Sequence, residues 1–307
     1  MDASKQPLVS VFIVTYNSSD YIIEALDSVR TQTYPNIELI VSDDCSTDNT
    51  PSLVKDWMNT YGSRFVRTEL VVAPINQGIP ANYNRAVAVC QGEWIKMMDG
   101  DDLLLDDCIL ANMEYVQQHP EVQVVFSDLN CFRDNDTENV TRQFFTKKDK
   151  SFFSLDSDGQ MKRLLRSNLL PSQTCFMKTK LLKDNPYNEK YRLLEDYPMW
   201  LHLSKFGIHY YFMDKCTALY RESESVSSSK KTFFPPAYTE FCRQFFYDEK
   251  LPLIRKYGLK EAYNFNRRFF LWYDVCKAIL GNKKNWLTNC FYWIFGAVIF
   301  KLLYFKL

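Results

Sequence analysis

Histidine is scarce, with three in 307 residues. That excludes a histidine-rich metal site and any relay that depends on several imidazoles. The nine cysteines are odd in number and scattered, and none forms a Cys-x-x-Cys pair. Neither a disulfide framework nor a zinc site is expected; the pattern suits reduced, individually buried thiols of a cytoplasmic protein. Neither sign of charge is in excess, since Lys+Arg and Asp+Glu are both 37, so no global field points to nucleic acid. A basic-then-apolar leader is missing, as is any internal repeat. The unbroken apolar run at residues 290–300 is short of the about 18–20 residues that a spanning helix needs. What remains is ordinary for a globular chain: 46% hydrophobic, 24% charged, and long enough for one large domain with an appendage. Aromatic residues, at 16%, gather toward the C-terminus.

The N-terminal half alternates strand and helix. Val9-Ser10-Val11-Phe12-Ile13-Val14 is too continuously apolar to show one face to water, as expected of a strand covered on both sides. Ile22, Ile23, Leu26 and Val29 follow at helical spacing, then a second strand over 37–41, a helix over about 49–61 and a strand over 70–73. A loop at 76–80 and a helix over 81–89 lead to the apolar stretch Trp94-Ile95-Lys96-Met97-Met98. Repeated units of this kind predict a mostly parallel sheet with helices on both faces, whose ligands lie at the C-terminal ends of the strands. Tyr16, Asp43, Asp44, Asp99 and Asp101 all fall at such ends.

The abrupt feature is Asp99-Gly100-Asp101-Asp102, three carboxylates in four positions after an apolar strand. Like charges so close repel unless a cation sits among them. A divalent Mg²⁺ or Mn²⁺, held by one or two carboxylates together with phosphate oxygens, is the economical partner. The alternative is a polar loop leading to a helix capped by Asp106 or Asp107.

Several motifs in order carry a resemblance: Val11 to Asn17, Asp43-Asp44-Cys45-Ser46-Thr47-Asp48, Asn76-Gln77-Gly78 with Asn84, Gly92-Glu93-Trp94 running to Asp99-Gly100-Asp101-Asp102, and Leu194-Glu195-Asp196-Tyr197 followed by Tyr220-Arg221. Together they resemble the family 2 glycosyltransferases over about residues 8–228. The resemblance implies an α/β GT-A fold, Rossmann-like with a mostly parallel sheet, and a metal-dependent inverting transfer from a nucleotide-sugar. Cys45 departs from the pattern, standing where the family usually has glycine.

By that resemblance Asp44 accepts from the N3–H of uracil, which points to a UDP-sugar, and Tyr16 stacks on the base. Asp101 holds Mn²⁺ or Mg²⁺, and Asp99 reaches ribose or metal. Asp196 is the base that takes the acceptor hydroxyl's proton, with Glu195 as its positioning neighbour; a carboxylate at a helix start in a partly apolar site suits that task. The same residues also read as a turn residue, a core-closing tyrosine, and an N-cap ahead of the first-turn Pro198. Arg221 is a cationic candidate for the diphosphate, at the base of a polar flap over 222–231. Residues 133–150 read as a solvated charged excursion, with acceptor or lipid-phosphate contact of its lysines as the lesser view. His119 reads as a surface helix-end residue.

Beyond residue 228 the chain turns to aromatic-dense helices, expected over 238–257, 261–280 and from 286 onward. Lys283, Lys284, Lys301 and Lys306, with Trp286, Trp293 and Tyr304, flank the apolar run as in an interfacial attachment rather than a span. The expected organisation is therefore a transferase domain at 1–228 and a helical region at 229–307 that meets the inner face of a membrane peripherally. The function expected is extension of a saccharide or lipid-linked saccharide in surface-polysaccharide synthesis. A non-catalytic sugar-nucleotide or glycan-binding subunit is the alternative, and the complete set of acids weighs against it. A nucleotidyltransferase would require a Gly-rich, basic phosphate loop near the N-terminus, which the chain lacks.

Overall fold

The computed structural model describes residues 6–133, 136–222 and 229–290. They fall into two compact units: residues up to Met161 together with Leu169–Glu222, and residues 162–168 together with the chain after 222. The expected flap therefore falls in part, and residues 291–307 with most of the apolar run wholly, outside the described residues.

In the larger unit four parallel strands stand in the order β3-β2-β1-β4: β1 (Val9–Thr15), β2 (Ile37–Asp43), β3 (Arg67–Val72) and β4 (Trp94–Asp99). Every residue of β1 and β2 is buried, including Glu38 of β2, whose carboxylate accepts from Ser10 Oγ at 2.5 Å and Gly92 N at 2.9 Å and pairs with Arg67 at 3.1 Å. Side-chain alternation divides the two faces. Val9, Val11 and Ile13 join the cluster formed with α1 (Ile22–Arg30), α2 (Thr50–Tyr61) and α4 (Cys108–Gln118). Phe12 points the other way and meets Tyr83 of α3 (Ile79–Val89) edge-on, ring centroids 5.4 Å apart. Helices thus cover both faces, and the β1, β2 and β4 ends bring Tyr16, Asp44 and Asp99 to one rim.

Past β4 the sheet changes character. A two-residue strand β5 (Leu103–Leu104) pairs antiparallel with the last strand, while β6 (Val124–Arg133) lies parallel to that same last strand, β9 (Tyr211–Arg221). β8 (Phe176–Lys178) joins the halves by pairing antiparallel with both β4 and β6. The charged stretch expected as a solvated excursion is instead β7 (Asp136–Gln143), antiparallel to β6, followed by the short helix α5 (Lys147–Lys150). Two features anchor it: Phe145 is buried, and Lys150 pairs with the buried Asp128 at 3.2 Å and with Asp214 at 2.6 Å. His119 lies at the end of α4, 44% exposed and 3.6 Å from Glu121. After β8, α7 (Thr179–Asp184) leads through an irregular loop to α8 (Asp196–Lys205); α6 (Ser157–Leu164) precedes β8.

The smaller unit is built on α9 (Pro236–Phe245), a π-helical turn (Phe246–Lys250), α10 (Leu251–Lys256) and α11 (Lys260–Leu280). Phe245, Phe246, Ile254, Phe270, Trp272 and Tyr273 are buried in it. Residues 229–235 run beside the end of α11, where Asn282 bonds both backbone groups of Phe234. Among the described residues no helix is long and apolar enough to cross a membrane.

Candidate active site

The first wall of the site is the rim of β1 and β2. Tyr16 stands 50% exposed just past β1, as a stacking residue must. Asp43 faces inward and is consumed locally, accepting from Thr15 Oγ1 at 2.9 Å and from Ser46 N at 2.8 Å. Asp44 is buried as well. Its carboxylate accepts from Gln77 N (3.1 Å to each oxygen), Gly78 N (2.7 Å) and Arg85 Nη2 (3.3 Å). A nucleobase reaching this acid must therefore share it with the loop before α3. Cys45 adopts φ +64°, the left-handed conformation that glycine enters without strain, which accounts for glycine being usual there. Asn17, also left-handed at φ +53°, accepts from Thr47 N at 2.8 Å and laces the two loops together.

The second wall is the acidic turn. Asp99 is gripped at both oxygens: Tyr83 Oη donates to Oδ1 and Gln173 Nε2 to Oδ2, each at 2.9 Å. Gln173 is itself fixed by the buried Lys96, whose Nζ donates to its carbonyl at 2.5 Å. Burial pushes the Asp99 carboxyl up in pKa, and the two donors oppose that rise. Asp102 is fully buried, with Oδ1 accepting from Arg221 N at 3.0 Å and Oδ2 unbonded. Burial first, and then the charges of Asp101 and Asp99, push it well above the usual carboxylate range. Asp102 thus supports the turn from within, and Asp101 is left at its partly exposed tip.

Arg221, expected to face a diphosphate, is placed otherwise. It is 3% exposed, with Nε donating to the Asp101 carbonyl at 2.9 Å and Nη2 to Glu24 at 2.6 Å, and its guanidinium lies over the rings of Tyr21 and Phe132. A buried guanidinium needs a carboxylate and full bonding, and Glu24 and the turn's own backbone supply them. In this structure it is a brace beneath the acidic turn.

The third wall is the start of α8. Glu195 occupies the N-cap position without a side-chain capping bond, and Asp196 Oδ1 accepts from Tyr197 N at 2.5 Å. Burial, followed by the charges of Asp196 and Asp99, raises Glu195 well above its usual range. The same fields, from Asp99 and then Glu195, act on the buried Tyr83 hydroxyl. Asp99 and Glu195, 96 positions apart in the chain, are linked through Tyr83, whose hydroxyl bonds Asp99 and whose ring lies 5.0 Å from that of Tyr187 in the loop before Glu195. Tyr83, Gln173, Arg85 and Tyr187 were not singled out in the sequence. Their partners are distant in the chain, and no local spacing announces them.

Among the described residues no three His, Cys, Asp or Glu gather as a metal-binding set. The chemistry of the turn still suits a hard cation that brings phosphate ligands with it: Asp101 is partly exposed, and the Asp99 carboxylate is already oriented by two donors.

The family model "Glycosyl transferase family 2" matches residues 10–184, well over half the chain. The chain belongs to glycosyl transferase family 2. It is 29% identical over 238 residues to "Putative teichuronic acid biosynthesis glycosyltransferase TuaG" of Bacillus subtilis, covering 75% of this chain and 87% of that protein. Among solved structures it resembles S. aureus TarS 1–349 in complex with UDP-GlcNAc, with a TM-score of 0.57 at 23% identity over 77% of this chain and 65% of that one. It also resembles the mannosyltransferase PcManGT of Pyrobaculum calidifontis in complex with GDP-Man and Mn²⁺, with a TM-score of 0.54 at 17% identity over 96% and 81% of the two chains. These structural likenesses show the fold, which is GT-A. The chain spans only 13% of the length of one curated relative that it matches at 32% identity.

Proposed function

We infer that this family 2 member transfers a sugar with inversion from a UDP-sugar to a saccharide or lipid-linked saccharide in surface-polysaccharide synthesis. The observation that carries the reading is the geometry at Tyr83, whose hydroxyl donates to Asp99 of the acidic turn at 2.9 Å and whose ring meets Tyr187, of the loop that leads to Glu195 and Asp196, edge-on at 5.0 Å. Support comes from the name of TuaG, a teichuronic acid biosynthesis glycosyltransferase, and from the UDP-GlcNAc complex of TarS.

On this reading Tyr16 stacks on the base and Asp44 accepts from its N3–H, in company with Gln77 and Gly78. Asp101, with Asp99, would hold Mn²⁺ or Mg²⁺, which when bound neutralises charge on the departing diphosphate. Asp196 takes the proton of the acceptor hydroxyl. The freed oxygen pair attacks the anomeric carbon as the bond to the diphosphate breaks and its electron pair leaves with phosphate, so configuration inverts. Glu195, whose burial favours its protonated form, keeps Asp196 from sharing its charge with a second free carboxylate.

Calorimetry with UDP, GDP and dTDP in the presence of Mn²⁺ tests the donor assignment. UDP is expected to bind tightest, and Asp44→Ala to lose that preference. A variant that still selects UDP as the wild type does would leave Asp44 only a turn residue.

The smaller unit carries exposed Lys283 and Lys284 beside Trp286 and Leu287, which are 76% and 68% exposed. An apolar pair beside two cations suits attachment to an anionic membrane surface. Flotation with anionic vesicles is expected to carry the protein up and Trp286→Ser to reduce it; equal flotation of the variant would remove this patch from any such role.

A further inference from the structure

The stretch 76–85 is bonded in two directions. Toward the donor wall, Gln77 N, Gly78 N and Arg85 all donate to Asp44. Toward the opposite wall, it grips the loop that joins α7 to α8. Asn84 clamps the Tyr187 backbone from both ends: its Nδ2 donates to Tyr187 O at 3.0 Å, and its Oδ1 accepts from Tyr187 N at 2.8 Å. The same Nδ2 donates to Glu189 at 2.8 Å. Farther along, Arg192 Nη2 donates to both the carbonyl and the side-chain oxygen of Asn76, at 2.7 and 2.6 Å, and its own carbonyl accepts from Ile79 N at 2.9 Å. At Gly78 the two stretches of chain pack tightly, for an added Cβ would lie 2.6 Å from the Arg192 carbonyl oxygen.

This loop has no helix or strand between Asp184 and Asp196. Eleven residues without a backbone ladder carry a large ordering entropy and belong to the easily opened part of a fold. Their course is fixed by the bonds to 76–85 and by the burial of Tyr187, Tyr191 and Leu194. Glu195 and Asp196 follow directly.

We propose that Asn84 and Arg192 are positioning residues that lock the loop carrying Asp196 to the loop that braces Asp44, so that nucleotide binding steadies the base before an acceptor is engaged. This rests on the assignments of Asp44 and Asp196 above. Coupling of this kind needs no displacement, because a nucleotide that orders 77–78 lowers the entropy left for 185–195 to lose.

Hydrogen exchange on the full chain, free and with UDP and Mn²⁺, tests it, with calorimetry on the same samples. In the wild type, UDP slows exchange at 187–194 as well as at 76–79. In Asn84→Ala and Arg192→Ala the slowing is confined to 76–79, while UDP affinity stays within about threefold and protection of β1 and β4 is unchanged. Arg192→Lys restores the response, because both bonds to Asn76 come from one nitrogen and an ammonium can replace it. With a donor and acceptor that turn over, kcat falls about tenfold or more in the two alanine variants at unchanged donor KM. A wild-type loop that ignores the nucleotide while 76–79 responds, or alanine variants whose loop responds as the wild type's does, overturns the proposal. Failure of UDP to bind the wild type strikes the uracil assignment instead, and the same comparison with GDP then decides the coupling.

Discussion

Replacing Gly78 with alanine probes the meeting point of the donor wall and the acid-bearing loop. Gly78 has φ +96° and ψ 172°, a region essentially reserved for glycine, and forcing another residue into it costs on the order of 1–3 kcal/mol. The added methyl would also lie 2.6 Å from the Arg192 carbonyl oxygen. The nearby Arg192 side chain can swing aside, but a backbone carbonyl moves only with its loop. Withdrawal of that loop loosens the bond from Ile79 N to Arg192 O, worth about 1 kcal/mol. The two terms give a loss of about 2–4 kcal/mol. For a unit of this size the melting point should fall roughly 5–15 °C. Gly207 is the control: its φ is +76° with nothing within 4 Å of an added methyl, so alanine there meets only the conformational term, about 1–2 kcal/mol. Urea unfolding of both variants, followed by circular dichroism, makes the comparison. A Gly78→Ala protein no less stable than Gly207→Ala would refute the claim that the two loops are in contact at this point.

Two further outcomes follow from the acids and from a buried amine. Asp101→Ala is expected to abolish the Mn²⁺-dependent part of UDP binding while leaving the melting point nearly unchanged, since the turn is braced by Asp102 and Arg221; calorimetry showing equal affinity with and without the substitution would reject the metal site. In the smaller unit, burial pushes the Lys250 amine down from 10.5 to about 7, beside Asn266 at 2.6 Å. Between those two values the unfolded chain holds a proton that the folded chain lacks, so stability rises with pH across that window. Lys250→Met should flatten the rise, read as urea midpoints from pH 7 to 10; an unchanged slope in the variant would show that Lys250 stays charged when folded.

The parts of the fold that could be read from the chain are those whose pattern is local. β1 and β2 announced themselves because strands covered on both faces are mostly apolar, and the acids at their ends stood out against those runs. β7 did not, because Asp136–Gln143 mixes charged and polar residues with little apolar pattern, as an edge strand does. Arg221 looked like a cation at a strand end, and only the fold reveals Glu24 and two aromatic rings waiting for it. Tyr83 looked like one more apolar residue of α3. Its hydroxyl finds Asp99, and the neighbouring Asn84 finds Tyr187, across 103 residues of chain. In the sequence Asn84 stood out only through its place with Asn76-Gln77-Gly78, while Asn82 and Arg85 are polar residues close-set along a helix that is otherwise largely buried.

Asp196→Asn tests the central claim most directly. The substitution preserves size and keeps an oxygen for the bond from Tyr197 N, but it cannot take the acceptor's proton. With a working donor and acceptor, transfer is predicted to fall by about 10²–10⁴-fold, roughly 3–5 kcal/mol of barrier, with UDP affinity and melting temperature nearly unchanged. Transfer at a near-normal rate in this variant would contradict the account.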